Sequence, residues 1–281
     1  LNSMDCMWGY KYLYLTQEQR RKLPINSKMF TGVCLGDMGI LAFGKYLWET
    51  KIGKGLIKTE ILPQRKIFDK ILEKFNAYEP ADDADKAQHD VARLGLAKSF
   101  QTLKEGLRGI NLTSPIECER YVELTLDGCV LPTIGRIDFE DEHNFVEMKT
   151  KHRKKNRPRK DGTSNYSLPK LDEGYMGWEE HVSQVAFYYF ACEEKKKPHL
   201  FVMNEEDYKI FTPENCEDLK PENLRKRLNK LTMTAKRRER IMANHAGKNT
   251  WHQDIAPDFG HFFWKNMGEH LDNAKKLWGL D

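Results

Sequence analysis

The sequence predicts an α/β protein with a central mixed sheet flanked by helices and a helical N-terminal half. Three observations support this fold class. Large apolar residues recur at intervals of three and four over residues 30–50, which is the spacing of a helix face. After residue 116 the spacing changes to an alternation rich in Val, Ile, Thr and Phe, which is typical of strands. Beyond residue 176 a predicted helix is followed by two short strands and then by two helices, so the second half of the chain contains both element types.

The individual elements follow from the same two periods. Helical spacing predicts helices at 5–20, 30–50, 64–77, 85–105, 177–194, 218–243 and 257–278. Alternation predicts strands at 117–126, 129–139, 144–150, 198–203 and 207–212. Asp127-Gly128 indicates a tight turn between the first two strands, and residues 151–176 predict a long loop. We therefore expect a helical N-terminal region (1–112), a core (113–215) and a C-terminal helical region (216–281).

Composition limits the class of protein. Of the 281 residues 40% are hydrophobic and 31% are charged, which is enough apolar material for a sizeable core. The chain lacks the long apolar run that a membrane span requires, so no membrane partner is expected. The six cysteines are scattered without a C-x-x-C pair, which disfavours structural zinc and favours reduced thiols. These features predict a cytoplasmic protein of a bacterial or phage-infected host cell.

The segment 135–151, GRIDFEDEHNFVEMKTK, concentrates the residues suited to chemistry. Side chains alternate between the two faces of a strand, so Arg136 shares a face with Asp138, and Glu147 shares a face with Lys149. Pairing of these two strands brings Asp138, Glu147 and Lys149 to one point. The alternative is an exposed hairpin face, on which acids and lysines are common.

Such a cluster is suited to metal-dependent phosphate chemistry. Two carboxylates, Asp138 and Glu147, and the backbone carbonyl of Met148 offer the oxygen ligands that a hard cation such as Mg²⁺ or Mn²⁺ prefers. The metal polarises a phosphate and lowers the pKa of a bound water. Lys149 can orient that water or offset charge that grows on the phosphate.

With these residues the chain resembles the RecB-type exonuclease branch of the PD-(D/E)XK nuclease superfamily. The resemblance rests on the GRID strand (Gly135 to Asp138), on the E-x-K strand followed by Thr150, and on a later helix with Q-x-x-x-Y, here Gln184 and Tyr188. It is convincing over residues 117–190 and weaker before them.

The resemblance implies a restriction-endonuclease-like core and a reaction that hydrolyses DNA. It implies Asp138, Glu147 and Lys149 as catalytic residues. Metal ligands would be Asp138, Glu147 and the Met148 carbonyl. A further acid is expected on the preceding strand, at Glu117 or Glu119.

Two departures from the family pattern change the expected cofactors. An early G-x-x-x-H element corresponds here to residues 36–40, with Ile40 in the position of the metal-binding His. Either a second metal is missing, or another residue such as Asp37 or Glu49 replaces that ligand. The late cysteines are too few and too far apart for an iron–sulfur cluster. The chain also lacks a G-x-x-x-x-G-K-[ST] loop, so no nucleotide is expected.

Several residues near the acids are expected to contact DNA. Gln184 and Tyr188 lie four residues apart and share a helix face with His181. The Gln184 amide can hydrogen-bond a phosphate or Lys149, and Tyr188 can contact DNA or could simply be core. Residues 149–160 hold eight Lys or Arg and no acid, a density that favours phosphate contacts over a solvated loop. The predicted DNA-binding set is Gln184, Tyr188, His181, Arg136, Lys151, Arg153, Lys154 and Lys155.

Two later features are predicted to be structural. The basic run 236–240 lies toward the end of a helix, where cations suit the helix dipole. A group of aromatic residues is expected to form core contacts with the last helix: Trp251, Phe259, Phe262, Phe263 and Trp264.

The expected activity is that of a metal-dependent DNA exonuclease acting at ends or on single strands, a preference that comes from the resemblance alone. One alternative is a structure- or site-specific endonuclease. The other is an inactive nucleic-acid-binding protein on a nuclease fold. The expected partners are DNA and a recombination or replication protein.

Overall fold

The computed structural model describes residues 5–52, 64–113, 116–157, 159–163, 165–174, 177–261, 264 and 267–280. Its helices are α1 Asp5–Gly9, α2 Gln17–Arg21, α3 Ser27–Ile52, α4 Gln64–Asn76, α5 Asp83–Gly109, α6 Trp178–Ala191, α7 Pro221–Asn244 and α8 Glu269–Leu277. Its strands are β1 Glu117–Leu124, β2 Thr133–Glu140, β3 Asn144–Thr150, β4 Lys154–Lys155, β5 Tyr166–Ser167, β6 Lys197–Met203 and β7 Tyr208–Phe211. Among the helices in these ranges, none has the length and apolar character to cross a membrane.

Five strands form one mixed sheet in the order β1-β2-β3-β6-β7. The β2–β3 and β6–β7 pairs are antiparallel, whereas β3 and β6 are parallel. A parallel pair needs a crossover connection, which α6 supplies between β3 and β6. The predicted α/β class, with a mixed sheet flanked by helices and a helical N-terminal half, is confirmed and is consistent with the expected restriction-endonuclease-like core.

The chain forms two compact units. The first, here called the sheet unit, comprises Ser27–Leu124 and Ile134–Leu228 and contains the five-stranded sheet except for Thr133, the first residue of β2. Its core joins apolar side chains of the sheet to those of α3, α4 and α5. Because these helices cover the sheet, apolar residues such as Phe139 and Val146 are fully buried.

The second unit, here called the terminal unit, comprises Leu1–Asn26, Thr125–Thr133 and Asn229–Asp281. Its core is aromatic and includes Tyr10, Trp251 and Trp264. Both units are discontinuous in sequence, whereas the predicted division at 112 and 215 concerns consecutive segments and stays a prediction.

Four predicted elements differ from the structure for local reasons. The segment 5–20 is not one helix, because Thr16 caps a separate α2 through a capping box with Gln19. The turn at Asp127-Gly128 is present, with the Cys129 N–H donating to the Leu126 carbonyl. However, β2 starts only at Thr133, after Pro132, which has no N–H to donate to a strand.

The other two differences lie in the basic loop and at the C-terminus. Within the predicted loop 151–176, β4 and β5 pair in an antiparallel hairpin. The predicted helix 257–278 shrinks to α8, which begins after Gly268 with its positive φ of 48°. Pro257 and Gly260 precede it, and both residue types disfavour a helix interior.

Glycines let two helices lie close to the sheet. On α3, a Cβ added at Gly39 would come within 2.9 Å of the Phe139 ring, whereas one added at Gly36 would lie 3.9 Å from Met148. On α5, a Cβ at Gly106 would overlap the Phe201 ring. Gly is unfavourable in a helix by about 1 kcal/mol relative to Ala. The close packing of the buried rings offsets this cost.

We expect Gly106→Ala to lower the free energy of unfolding by about 1–3 kcal/mol, because the added methyl group overpacks a buried ring. Gly36→Ala is the matched control, since its methyl group has room and improves helix propensity. Urea denaturation of both variants measures the difference. Equal stability of the two proteins would contradict the close approach of α5 to the sheet.

Candidate active site

The two predicted acids lie on β2 and β3 where the two strands stop pairing regularly. Backbone pairing joins Phe139 to Val146 and Glu140 to Phe145. At the next hydrogen-bonding position, the Met148 N–H donates to the Asp138 side chain, to Oδ2 at 2.6 Å. The N–H and C=O of one residue point toward the same neighbouring strand, so the Met148 carbonyl also faces β2.

A chain of hydrogen bonds connects β3 to α6. The Lys149 ammonium contacts Glu147 Oε1 and donates to Gln184 Oε1 at 2.8 Å. Gln184 Nε2 in turn donates to the Tyr188 hydroxyl at 2.8 Å. That hydroxyl donates to the Arg136 carbonyl at 2.6 Å, back on β2. Lys149 is therefore held between a carboxylate and an amide whose orientation Tyr188 fixes.

Burial and mutual repulsion disfavour the charges of both acids. Glu147 is 2% exposed. Burial and then the charge of Glu147 raise the pKa of Asp138 well above its ordinary value, although the Met148 N–H and Lys149 act against this. Burial also raises the pKa of Glu147, against the opposing effect of Lys149. Lys149 thus compensates the charge of both acids, and one positive charge does not balance two carboxylates.

The donor set fits a hard divalent cation. Glu147 Oε2 is buried and accepts no hydrogen bond, and an unsatisfied buried carboxylate oxygen is costly. A cation bound by Glu147 and Asp138, with the Met148 carbonyl, would satisfy it with the oxygen ligands that Mg²⁺ prefers. Over the described ranges, no three His, Cys, Asp or Glu side chains converge to hold a metal. A metal here would therefore rely on two carboxylates and backbone oxygen.

Gln184 and Tyr188 point inward to Lys149 and the backbone of β2. Tyr188 is 2% exposed, and a Cβ added at Gly135 would come within 2.8 Å of its ring. The glycine of the GRID strand is thus where α6 packs closely on β2. Both side chains are placed to position Lys149, and the contact of Gln184 with Lys149 is one of the two roles that the sequence suggested for its amide. Their contacts with DNA stay a prediction.

Of the two candidate acids on β1, Glu119 is the one whose charge reaches the site. Its charge contributes to raising the pKa of both Asp138 and Glu147. It also lies 3.9 Å from the Arg136 guanidinium, which is largely exposed. Glu119 has a positive φ of 54°, an unusual conformation for a non-glycine residue. Glu117 is exposed and contributes to neither shift.

The predicted basic DNA-binding residues divide into two groups. Arg153 forms a buried ion pair with Glu205 through two of its nitrogen atoms, and it lies over the Tyr166 ring. This pairing gives Arg153 a structural role, whereas its contact with DNA stays a prediction. Lys154 is exposed on β4, whereas the side chain of Lys155 lies outside the described part of the chain.

Lys151 and His181 lie close enough to Lys149 to respond to its charge. Burial lowers the pKa of Lys151 to about 8, with contributions from Lys154 and Lys149. Burial also lowers the pKa of His181 to about 3, again with a contribution from Lys149. His181 is therefore neutral at neutral pH, so its contact with a phosphate would be a hydrogen bond without a net charge.

Of the two expected substitutes for the missing early His, one is paired with a lysine and the side chain of the other is not described. Ile40 packs against the core of the sheet unit. Asp37 forms an ion pair with Lys74. The side chain of Glu49 lies outside the described residues.

Parts of both later features have the predicted structural role. In the run 236–240, Arg237 and Arg238 form ion pairs with buried Asp5. Trp251 and Trp264 are core residues of the terminal unit, and Phe259 packs against them. Phe262 and Phe263 lie outside the described residues.

Comparisons with known proteins add little to this geometry. No family model matches the chain, and a search of curated proteins finds no match. Among solved structures, the chain is similar to that of SSO0001, with 17% identity over 68% of this chain and 83% of that one. The TM-score is 0.28, and a similarity this loose supports no conclusion about activity.

We expect Tyr188→Phe to lower the free energy of unfolding by about 1–3 kcal/mol, because the Arg136 carbonyl and the Gln184 amide lose a buried partner. Tyr121→Phe, which removes an exposed hydroxyl, is the matched control and should change stability little. Urea denaturation measures both variants. If Tyr188→Phe is as stable as its control, the hydrogen-bond chain does not hold α6 to β2.

We expect Asp138→Asn to raise the melting temperature of the metal-free protein at pH 8. The raised pKa of Asp138 favours folding at low pH, and this contribution is lost as pH rises above the unfolded pKa, about 3.9. The uncharged amide introduced by the substitution avoids that loss, so the gain in melting temperature should shrink as the pH falls toward 4. Exposed Asp69→Asn is the control. A variant less stable than the wild type at pH 8 would contradict the shortage of positive charge.

Proposed function

We propose that the chain is a divalent-metal-dependent nuclease that hydrolyses phosphodiester bonds of DNA. The observation that carries the proposal is the buried, unpartnered oxygen of Glu147 beside Asp138, next to a lysine held by Glu147 and Gln184. A buried pair of acids with too little positive charge is unfavourable for folding. A bound cation would remove that cost, and the two acids would then serve as metal ligands.

Each side chain has a task in this proposal. Asp138, Glu147 and the Met148 carbonyl hold Mg²⁺ or Mn²⁺, which would polarise the scissile phosphate and lower the pKa of a bound water. Lys149 directs its ammonium group toward charge that develops on the phosphate. Gln184 and Tyr188 are positioning residues that keep Lys149 in place.

The substrate assignment rests on charge and on resemblance. Exposed Arg136 and Lys154, together with Lys151 close to Lys149, provide cations for neighbouring phosphates. Preference for DNA ends or single strands comes from the RecB-type exonucleases that the motifs resemble. A structure- or site-specific endonuclease would use the same acids and lysine.

Lys149→Ala is expected to lower the cleavage rate by about 100- to 1000-fold, the range for loss of one charge-stabilising group. Asp138→Asn and Glu147→Gln should abolish cleavage, because each removes a metal ligand. The assay follows end-labelled single- and double-stranded DNA with Mg²⁺, with Mn²⁺ or with EDTA. Exposed Lys195→Ala is the matched control for loss of a lysine.

Shortening from labelled ends without cutting of closed circles indicates an exonuclease, and cut circles indicate an endonuclease. Wild-type rates in a correctly folded Lys149→Ala protein would refute the assignment. DNA binding without cleavage under every metal condition would favour the inactive binding protein.

A further inference from the structure

Two cavities of the terminal unit adjoin along the C-terminal half of α7. One, of about 620 Å³, is lined by Val130, Leu131, Lys236, Glu239, Arg240 and Met242, among others. The other, of about 590 Å³, is lined by Leu13, Tyr14, Met242, His245, Lys248 and Trp251, among others. Met242 lines both cavities, so the two adjoin at this side chain. The pair of cavities is here called the α7 groove.

One wall of the α7 groove is apolar and held in place. The Glu239 carboxylate accepts the Val130 N–H at 2.9 Å and the Leu131 N–H at 2.6 Å. The two aliphatic side chains nevertheless face solvent, with Val130 86% exposed and Leu131 53% exposed. Exposed apolar surface forgoes the favourable free energy that its burial would give. A fixed loop that presents such side chains is suited to an apolar ligand surface.

The opposite end of the groove is aromatic. Tyr14 is 41% exposed and stacks on the buried Tyr10 ring, with 5.3 Å between centroids. Trp251 lines the same cavity and belongs to the core of the terminal unit. A half-exposed ring that is supported by a buried ring offers a surface on which a flat ligand group can stack.

Cations accompany the apolar walls along the groove. Arg240 and Lys248 are exposed, whereas Lys236 lies 3.5 Å from Asp127. The acid of the first cavity, Glu239, is engaged with backbone N–H groups. His245 in the second is hydrogen-bonded to Thr250 and Asp254. Two exposed cations therefore remain to meet an anionic ligand.

We propose that the α7 groove binds single-stranded DNA, with bases against Tyr14, Met242 and Val130 and phosphates on Arg240 and Lys248. Flat apolar groups linked by regular negative charges match walls that are apolar and basic together. Duplex DNA hides its base faces and would leave the apolar walls uncovered. The inference rests on the proposed function, because it names a strand-holding surface for the same nuclease.

Fluorescence anisotropy of a fluorescein-labelled oligothymidylate, with EDTA to prevent hydrolysis, tests the groove. Arg240→Ala and Lys248→Ala should each weaken binding and reduce the slope of log affinity against log salt by about 0.7, the value for one phosphate contact on a single strand. Lys70→Ala, an exposed lysine of α4, is the matched control. Tyr14→Ala should weaken binding about fivefold or more through lost stacking, with exposed Tyr121→Ala as its control.

Melting temperatures establish that each variant is folded, and if Tyr14→Ala is not, the two cation variants decide. If Arg240→Ala and Lys248→Ala have the same affinities and salt slopes as Lys70→Ala, the proposal is overturned. The same result is expected if the groove binds a protein instead of DNA. Metal-dependent cleavage by the same preparations separates the two proposals. Cleavage by the wild type together with unchanged DNA binding by the groove variants refutes only the proposed groove. Weakened DNA binding by those variants without cleavage by the wild type refutes only the proposed nuclease activity.

Discussion

The placement of two acids, Asp138 and Glu147, beside a single lysine where there is little water is the constraint on which the candidate site depends. Neither acid is stabilised in the way that a surface acid is, because water is largely excluded. The Met148 N–H compensates Asp138, and Lys149 compensates one oxygen of Glu147. The remaining Glu147 oxygen has no partner. The folded protein therefore contains one energetically unfavourable arrangement of charged groups. Such arrangements are common at functional sites.

The surrounding architecture keeps that arrangement from relaxing. β3 is paired with β6 from Asn144 to Thr150, so the strand that carries Glu147 and Lys149 cannot turn its side chains outward. From the other side, α6 packs closely on Gly135, and Tyr188 bonds the backbone of β2. The same tyrosine orients Gln184 and hence Lys149. One helix thus both closes the site and positions its cation.

Periodicity was enough to predict the sheet, most helices and the acids, because alternation along β2 and β3 is local information. Contacts between distant residues were not predictable from it. Arg153 sits in a basic run that suggests DNA, yet its partner Glu205 lies 52 residues away. Tyr188 carries a family motif, but only packing shows that its hydroxyl meets the Arg136 carbonyl. The distinction between Glu117 and Glu119 depends on the local backbone, in which Glu119 has a positive φ. The division into two discontinuous units likewise arises from packing between segments far apart in sequence.

The claim on which the whole account depends is that a divalent cation belongs between Asp138 and Glu147. Anomalous diffraction from crystals soaked in Mn²⁺ locates that ion without reference to activity. The account predicts a strong anomalous peak bound by both carboxylates, with the Met148 carbonyl among its neighbours and Lys149 still in contact with Glu147. Crystals that bind Mn²⁺ elsewhere and leave these carboxylates without a peak would contradict it.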